Sequence, residues 1–403
     1  MTHIFLALIF SISSVIVGAQ NASQWRGNNR DGIYNEEGLL KKWPEAGPKL
    51  LWHFDELGQS HASITVSQDK VFTTGTTETE GYVIAFSNEG KELWRTNYGE
   101  EWMENFEGNR STPTYNDGRI YMLSGYGLLT CLDAETGNLI WKVDLLKTYN
   151  GVNIQWGITE NLLIFDNQLI CMPGGKDANV ISLDKNNGKL IWKCKGMSDQ
   201  SAYCSPQLVD HKGKKMIITH SAAYILGIDA ITGNLLWSYD WPNKWSVQPN
   251  TPLFSDGKVF CASGYGQGSV LLQIADDGKS VKQLWRNKSL DNQMGGFVLI
   301  DGKIYGAGQY SRKWFCLDWE TGKELYSSNE LKVGNIISAN GLLYWYSQSG
   351  IVALVKPNAD GFNIISQFKV PYGQKQHWAH LTINNKRLFV RHGNSVMAYD
   401  ISE

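Results

Sequence analysis

Residues 133–141 read DAETGNLIW, and the chain returns to the same wording at 184–192 (DKNNGKLIW), 229–237 (DAITGNLLW) and 318–326 (DWETGKELY). Asp133 to Asn138 reads as a hairpin turn, and Leu139 to Trp141 as the strand that follows. A motif repeated this often within one chain points to an architecture built from copies of one unit.

Aligning on the aromatic that ends each unit gives Trp52, Trp94, Trp141, Trp192, Trp237, Trp285, Tyr326 and Phe368, spaced 41 to 51 residues apart. That period, with strand-like content, indicates propeller blades rather than a helical solenoid. One unit shows the logic. STPTY (111–115) is an inner strand, Asn116-Asp117-Gly118 a tight turn, and RIYMLSG (119–125) a second strand rich in β-formers. LLTCLDA (128–134) returns, and LIWKV (139–143) closes a four-stranded sheet. Gly and Asn/Asp recur every 8–12 residues, too often for helices, so none is expected in 50–403. The residue before the anchor is apolar in seven units: Leu51, Leu93, Ile140, Ile191, Leu236, Leu284 and Leu325. Two consecutive apolar residues predict a strand covered on both faces.

The ends close the ring. KLLWHF (49–54) is an outer strand without inner partners, and WAHLTI, RLFVRHG and SVMAYDI (378–401) are three strands without an outer one. Joining them removes two unpaired edges and completes an eighth blade. The expected fold is an all-β, eight-bladed β-propeller of four-stranded antiparallel blades over 49–403. Residues 20–48 form an N-terminal extension over the propeller.

The first residues carry an apolar run, Ile4 to Val17, followed by Val17-Gly18-Ala19 at cleavage positions. A signal peptide over 1–19 is therefore expected, with a periplasmic or secreted destination. No Cys follows the run, which excludes a lipoprotein anchor, and no later run is long enough to span a membrane. Net charge is −2, which supplies no surplus to neutralise phosphates and excludes a nucleic-acid partner. The six Cys form no C-x-x-C pair, so zinc and thioredoxin-like chemistry are not expected, and they read as core. A monomer is the expected state.

The D-A-x-T-G-x-L-x-W unit resembles the repeat of pyrroloquinoline-quinone (PQQ) type propellers. Trp52, Trp94, Trp141, Trp192, Trp237 and Trp285 are similar to that family's tryptophan docking motif. The opening QWRGNNRDGIYNEEGLLKKWPEAGPKLLW (24–52) also resembles secreted PQQ-like proteins. The resemblance implies one of two roles. One is a non-catalytic scaffold binding a protein or a glycan, as in BamB-type propellers. The other is a PQQ-dependent alcohol or sugar dehydrogenase, with quinone and Ca²⁺ in the central funnel. The chain departs from the dehydrogenases: it has no adjacent cysteines, no long insertions and no clear cluster of carboxylate and amide ligands. The scaffold is the preferred expectation, without a metal site.

Ligands of propellers meet the funnel, lined by the segments that enter each inner strand. Those segments supply Trp156, Trp245 and Trp378 for stacking, with Tyr203 beside them. Hydrogen-bonding candidates are Arg110, Gln155, Gln248, Asn250, Asn292 and His380, joined by His61 and His377. Residues three apart on a strand face opposite sides, so His377 and His380 do not form a metal pair there. Glu107, Glu160, Asp199 and Asp291 are the acids near blade entries.

Overall fold

Each repeat folds as one antiparallel sheet. In the second blade the strands are Thr114–Asn116, Arg119–Leu123, Leu128–Asp133 and Leu139–Asp144. Asp117 and Gly118 both adopt positive φ (48° and 76°), the backbone of a two-residue hairpin whose twist matches that of its strands. Asp256-Gly257, Asp301-Gly302 and Asn340-Gly341 repeat this geometry.

The computed structural model describes residues 22–67 and 69–403. The expected signal segment 1–19 lies outside the described residues. Eight sheets follow one another. The ring closes as the ends predict: Lys49–Phe54 pairs with Ser395–Asp400 to complete blade 8. Blade 7 gains a fifth strand, Ile33–Tyr34, parallel to Gly334–Ala339.

The repeated motif couples neighbouring blades. The indole N–H of Trp94 donates to the Ala134 carbonyl of the next blade at 3.2 Å, and a Cβ on Gly137 would lie 2.6 Å from the same ring. Trp52 does this with Asn88 and Gly90, Trp141 with Lys185 and Gly188, Trp192 with Ala230 and Gly233, and Trp285 with Trp319 and Gly322. Within the motif, Asp133 Oδ1 accepts from the Glu135 and Thr136 amides and the Thr136 hydroxyl, which fixes the turn. So Asp and Thr shape the turn, Gly receives the preceding blade's ring, and Trp reaches the following blade. The seam after Trp237 departs from the pattern: its indole N–H has no partner, and His211 Nε2 binds the Ala275 carbonyl instead, at 2.9 Å.

Three expectations are corrected. In six of the seven units the residue before the anchor is not covered; Leu236 is the exception, half-buried against the core. Leu51, Leu93, Ile140, Ile191, Leu284 and Leu325 are exposed, because the outer strand carries a β-bulge at this point. Leu139 pairs with Leu132 and Trp141 with Cys131, so Ile140 has no opposite residue and turns outward. Secondly, Phe368 does not occupy the anchor position of blade 7. The ladder pairs Leu354 with Ser366, as it pairs Cys131 with Trp141, and Phe368 lies two residues further on. Trp43, from the N-terminal segment, fills the space. Its amide donates to Ser366 Oγ at 2.9 Å, and its buried ring packs on Phe368 and Tyr344. Thirdly, one turn of helix occurs, Leu145–Tyr149, capped by Asp144 and ended by Asn150 at φ 50°. It occupies the longest interval of the repeat, between Trp141 and Trp192.

All six cysteines are buried and unbridged. No helix among the described residues is long and apolar enough to cross a membrane.

Candidate functional site

Strand alternation puts the connections between blades, and the hairpins joining second to third strands, on one face of the disc. The remaining hairpins, including the DAETG turns, lie on the other. Small polar side chains stitch the entries on the first face. The His380 amide donates to Ser63 Oγ, Ser63 to Thr112 Oγ1, Thr112 to Asn161 Oδ1 and Asn161 to Ser205 Oγ, at 2.6 to 3.0 Å.

The N-terminal segment crosses the axis beneath this belt. The Ala22 and Ser23 carbonyls accept from Val66 and Tyr115. Arg30 donates to the Leu162 and Asn161 carbonyls at 2.8 and 2.6 Å. Arg26 donates to the Phe297 and Ile336 carbonyls and approaches His380 Nδ1 at 3.2 Å. Both arginines are buried, which lowers each guanidinium to about 10. Arg26 and Arg30 themselves adopt positive φ, and a Cβ on Gly32 would lie 2.3 Å from Arg26 Nη2. The WRGNNRDG wording is therefore a tight coil that turns two arginines into the axis.

The result is a blind pocket of about 300 Å³. Trp25 forms part of its floor, edge-on to His380 at 4.9 Å. Trp378 contacts His61 at 4.9 Å and Phe106 at 5.0 Å, and Trp156 faces Tyr203 at 6.1 Å. Arg110 spends its terminal nitrogens on the carbonyls of Trp156, Asn105 and Phe106. Burial lowers His61 to about 3, with the Arg110 charge adding to it. Burial, then Arg26, also holds His380 well below the usual imidazole range. Both rings are neutral at neutral pH.

Six of the twelve sequence candidates meet in this pocket: His61, Arg110, Trp156, Tyr203, Trp378 and His380. The other six do not. Gln155 and Trp245 face solvent, with Lys244 Nζ 4.8 Å over the Trp245 ring. Gln248 is buried, its amide bonding the Ser221, Ala222 and Trp241 carbonyls. Asn250 binds the Ala262 and Asn292 carbonyls, and Asn292 binds those of Gly296 and Ala307. These three hold loops in place because a buried amide must find partners. His377 stacks on His392 at 3.6 Å and meets the Tyr346 hydroxyl at 2.7 Å. Sequence reading missed Trp25, Phe106, Tyr265, Gln293 and Gln348 on the pocket wall. Trp25 and Phe106 lie outside the repeat; Tyr265 sits in a second-to-third-strand hairpin, outside the segments that enter the inner strands.

Among the described residues no carboxylate lines the pocket. Glu107 pairs with Lys375. Glu160 is buried one residue behind the wall; its Oε1 accepts from the Met172 amide at 2.7 Å, and burial raises it to about 8. Asp199 and Asp291, also raised by burial, accept from the Ala223 and Gly266 amides. Calcium prefers carboxylate oxygens, and the wall offers hydroxyl and amide oxygens already engaged in the belt, such as Asn161 and Ser205. A PQQ–calcium pair does not fit these residues. Among the described residues there is no group of three His, Cys, Asp or Glu able to hold a metal.

On the face that carries this pocket, Phe106 of its wall is exposed, as are Val152, Met197, Trp245 and Tyr310 of the connections and hairpins there. Apart from outer-strand residues, the remaining exposed large hydrophobic side chain among the described residues is Ile231, on the opposite face.

Fold and repeat together define a PQQ-type β-propeller. Residues 79–328, more than half of the chain, match the family described as outer membrane protein assembly factor BamB, and the chain belongs to that family. Its relatives include the quinoprotein alcohol dehydrogenase PedH of Pseudomonas putida, 24% identical over 75% of this chain and 49% of that protein. BamB of Moranella endobia is 23% identical over 60% of this chain and 63% of that one. A quinoprotein ethanol dehydrogenase of Pseudomonas aeruginosa is 28% identical over 36% of this chain, which spans 24% of that enzyme. Among solved structures, BamB of Moraxella catarrhalis superposes with a TM-score of 0.64 at 17% identity, covering 88% of this chain and 99% of that one. A europium-containing methanol dehydrogenase gives 0.65 at 13% identity, covering 93% and 90%. These structural likenesses concern the fold.

Proposed function

We propose that the chain is a periplasmic or secreted, non-catalytic propeller that binds another protein through its entry face. The partner seats an apolar or aromatic side chain in the funnel. The observation that carries this reading is the aromatic pocket on a face that also exposes Phe106, Met197, Trp245 and Tyr310. Aromatic, Met and Arg side chains around a desolvated hollow are the composition of a binding hot spot. The neutral histidines, the engaged Arg110 and the absence of a wall carboxylate leave no acid–base pair for chemistry. The family description, an outer-membrane assembly factor, agrees with a protein partner.

A photo-crosslinking residue at Tyr310 or Trp245, with Ile231 as the control, tests this in cells. One defined protein should be captured from the first two positions and not from Ile231. With that protein purified, Trp378→Ala should weaken binding by about thirtyfold, equivalent to ~2 kcal/mol. Equal capture from Ile231, capture of no protein, or unchanged affinity in Trp378→Ala would sink the proposal.

The dehydrogenase reading is favoured by the named relatives. Titration with PQQ and Ca²⁺, followed by dye reduction with a panel of alcohols, decides it. Saturable quinone binding with alcohol-dependent turnover would replace the scaffold reading.

A further inference from the structure

The larger cavity, about 540 Å³, lies at the other end of the funnel. There the N-terminal segment reaches blades 1 to 4 and 6 to 8 by hydrogen bonds, while the start of blade 5 (Leu253–Ser255) remains as a wall of the cavity. We propose that this cavity is a second binding site, for a neutral saccharide, on the face opposite the aromatic mouth. It is independent of the entry-face reading.

Four observations define the ligand chemistry. First, half-buried Ile164, Leu208, Phe254 and Leu299 come from four successive blades and form an apolar floor. Such a floor covers the C–H face of a sugar ring. Second, amides of Asn28, Asn29 and Gln207 ring the floor, while Gln24 spends its own amide on the Asn28 carbonyl and on Arg30 Nη1. An amide both donates and accepts, as a hydroxyl does. Third, Gln207 is held by its Nε2, which donates to the Asn29 carbonyl at 2.9 Å, while its buried Oε1 has no partner. That acceptor lies just beneath the surface of the wall, unsatisfied until a donor reaches it. Fourth, the wall carries no available cation. Arg30 spends its terminal nitrogens on the Leu162 and Asn161 carbonyls, and its Nε is buried without a partner. Asp31 and Asp210 add negative charge, which disfavours phosphates and uronates. One Oδ1 of each already accepts a backbone amide, from Ile33 and Gly213, which limits their pull on cations. A neutral polyhydroxylated ring satisfies floor, amides and carboxylates together. The volume lies in the range of small-molecule sites.

Isothermal titration with glucose, galactose, N-acetylglucosamine, maltose and chitobiose tests the proposal on the full mature chain. Glucuronate and glucose 6-phosphate serve as charged controls. At least one neutral sugar should bind with millimolar affinity. Asn28→Ala and Phe254→Ala should each weaken it by about tenfold, and Ser255→Trp, which fills the cavity, should abolish it. Trp378→Ala, in the other pocket, should leave it unchanged, and thermal melting confirms that each variant folds. The proposal is overturned if every neutral sugar fails at about 50 mM, or if the charged sugars bind as well. It is also overturned if binding survives Ser255→Trp or is lost in Trp378→Ala.

Discussion

At the circumference, Trp94 lies on Gly137 of the next blade, and Trp52, Trp141, Trp192 and Trp285 repeat the arrangement on their own neighbours. At the axis, the corresponding entries carry Ser63, Thr112, Asn161 and Ser205, each making a different version of one stitch. The outer ring must be uniform because every seam has the same shape to fill. The inner ring need only satisfy its amides, so its side chains are free to vary and to meet a ligand. Stability should therefore reside mainly outside and binding inside.

Besides the seam after Trp237, a second exception at the circumference offers the sharpest way to break this comparison. Blade 7 has Ser366 where blade 6 has Tyr326 and blade 8 has Trp52, and Trp43 of the N-terminal segment supplies the ring. Trp43→Ala should lower unfolding stability by about 4 kcal/mol, the cost of emptying a fully buried indole site. A shift in the urea midpoint measures it. A loss below about 1 kcal/mol would mean the segment does not complete the ring.

The axis should reveal itself through pH. His61, and His220 at the end of a second strand where its Nδ1 meets Gln248 Oε1 at 3.0 Å, fall to about 3 and about 4 because they are buried, from an ordinary value of 6.5. A depressed folded pKa contributes stability that is present above 6.5 and lost as pH falls through the window down to about 4 and 3. Each group should cost on the order of 1 kcal/mol per pH unit there. Glu160 has the opposite sign. Raised from 4.5 to about 8, it contributes most below pH 4.5, and that contribution fades as pH rises to 8. Unfolding curves between pH 4 and 9 should show the acid loss shrink in His220→Gln, and the alkaline loss shrink in Glu160→Gln.

A single atom tests the seam. Gly137 has φ +73°, and a Cβ there would stand 2.6 Å from the Trp94 ring. Gly137→Ala should cost about 2 kcal/mol, combining backbone strain with displacement of the indole. Gly118→Ala, at φ +76° but with nothing within 4 Å, should cost about 1 kcal/mol. The difference between them isolates the ring contact.

The circumference was legible in the sequence because repetition exposes it. Blade number, closure by Lys49–Phe54 and the Asp-Gly hairpins all follow from the period and the turn chemistry. Phe368 misled because the aromatic pattern continues two residues past the bulge, and a bulge leaves no mark in composition. The axis was half legible. His61, Arg110, Trp156, Tyr203, Trp378 and His380 lie in entry segments and converge. Gln248, Asn250 and Asn292 lie in the same segments, yet their amides turn inward to carbonyls. Which way an amide turns depends on which neighbouring carbonyls lack partners, and that is a three-dimensional matter. Arg26, Arg30 and Trp25 belong to no repeat, so no alignment of units could raise them.

The smallest expected effect sharpens the comparison most finely. Ile140 precedes the anchor Trp141 and reads as core, but the bulge leaves it 42% exposed with no residue opposite. Ile140→Ser should change stability by no more than about 0.5 kcal/mol, as for surface positions away from caps and cores. Trp141→Ala, one residue on, should cost about 3 kcal/mol, less than a fully buried indole because its ring is half-covered. Adjacent positions of one strand would then differ several-fold in cost, set by the bulge and not by hydrophobicity. If Ile140→Ser instead costs as much as Trp141→Ala in the purified chain, the outer strand is covered in solution by a second copy. Sedimentation at increasing concentration would then show a dimer. If the two costs differ as expected, the exposed apolar residue before these anchors has no role in folding, and the stability of the circumference belongs to the ring, the glycine beneath it and the carbonyl that accepts its hydrogen bond.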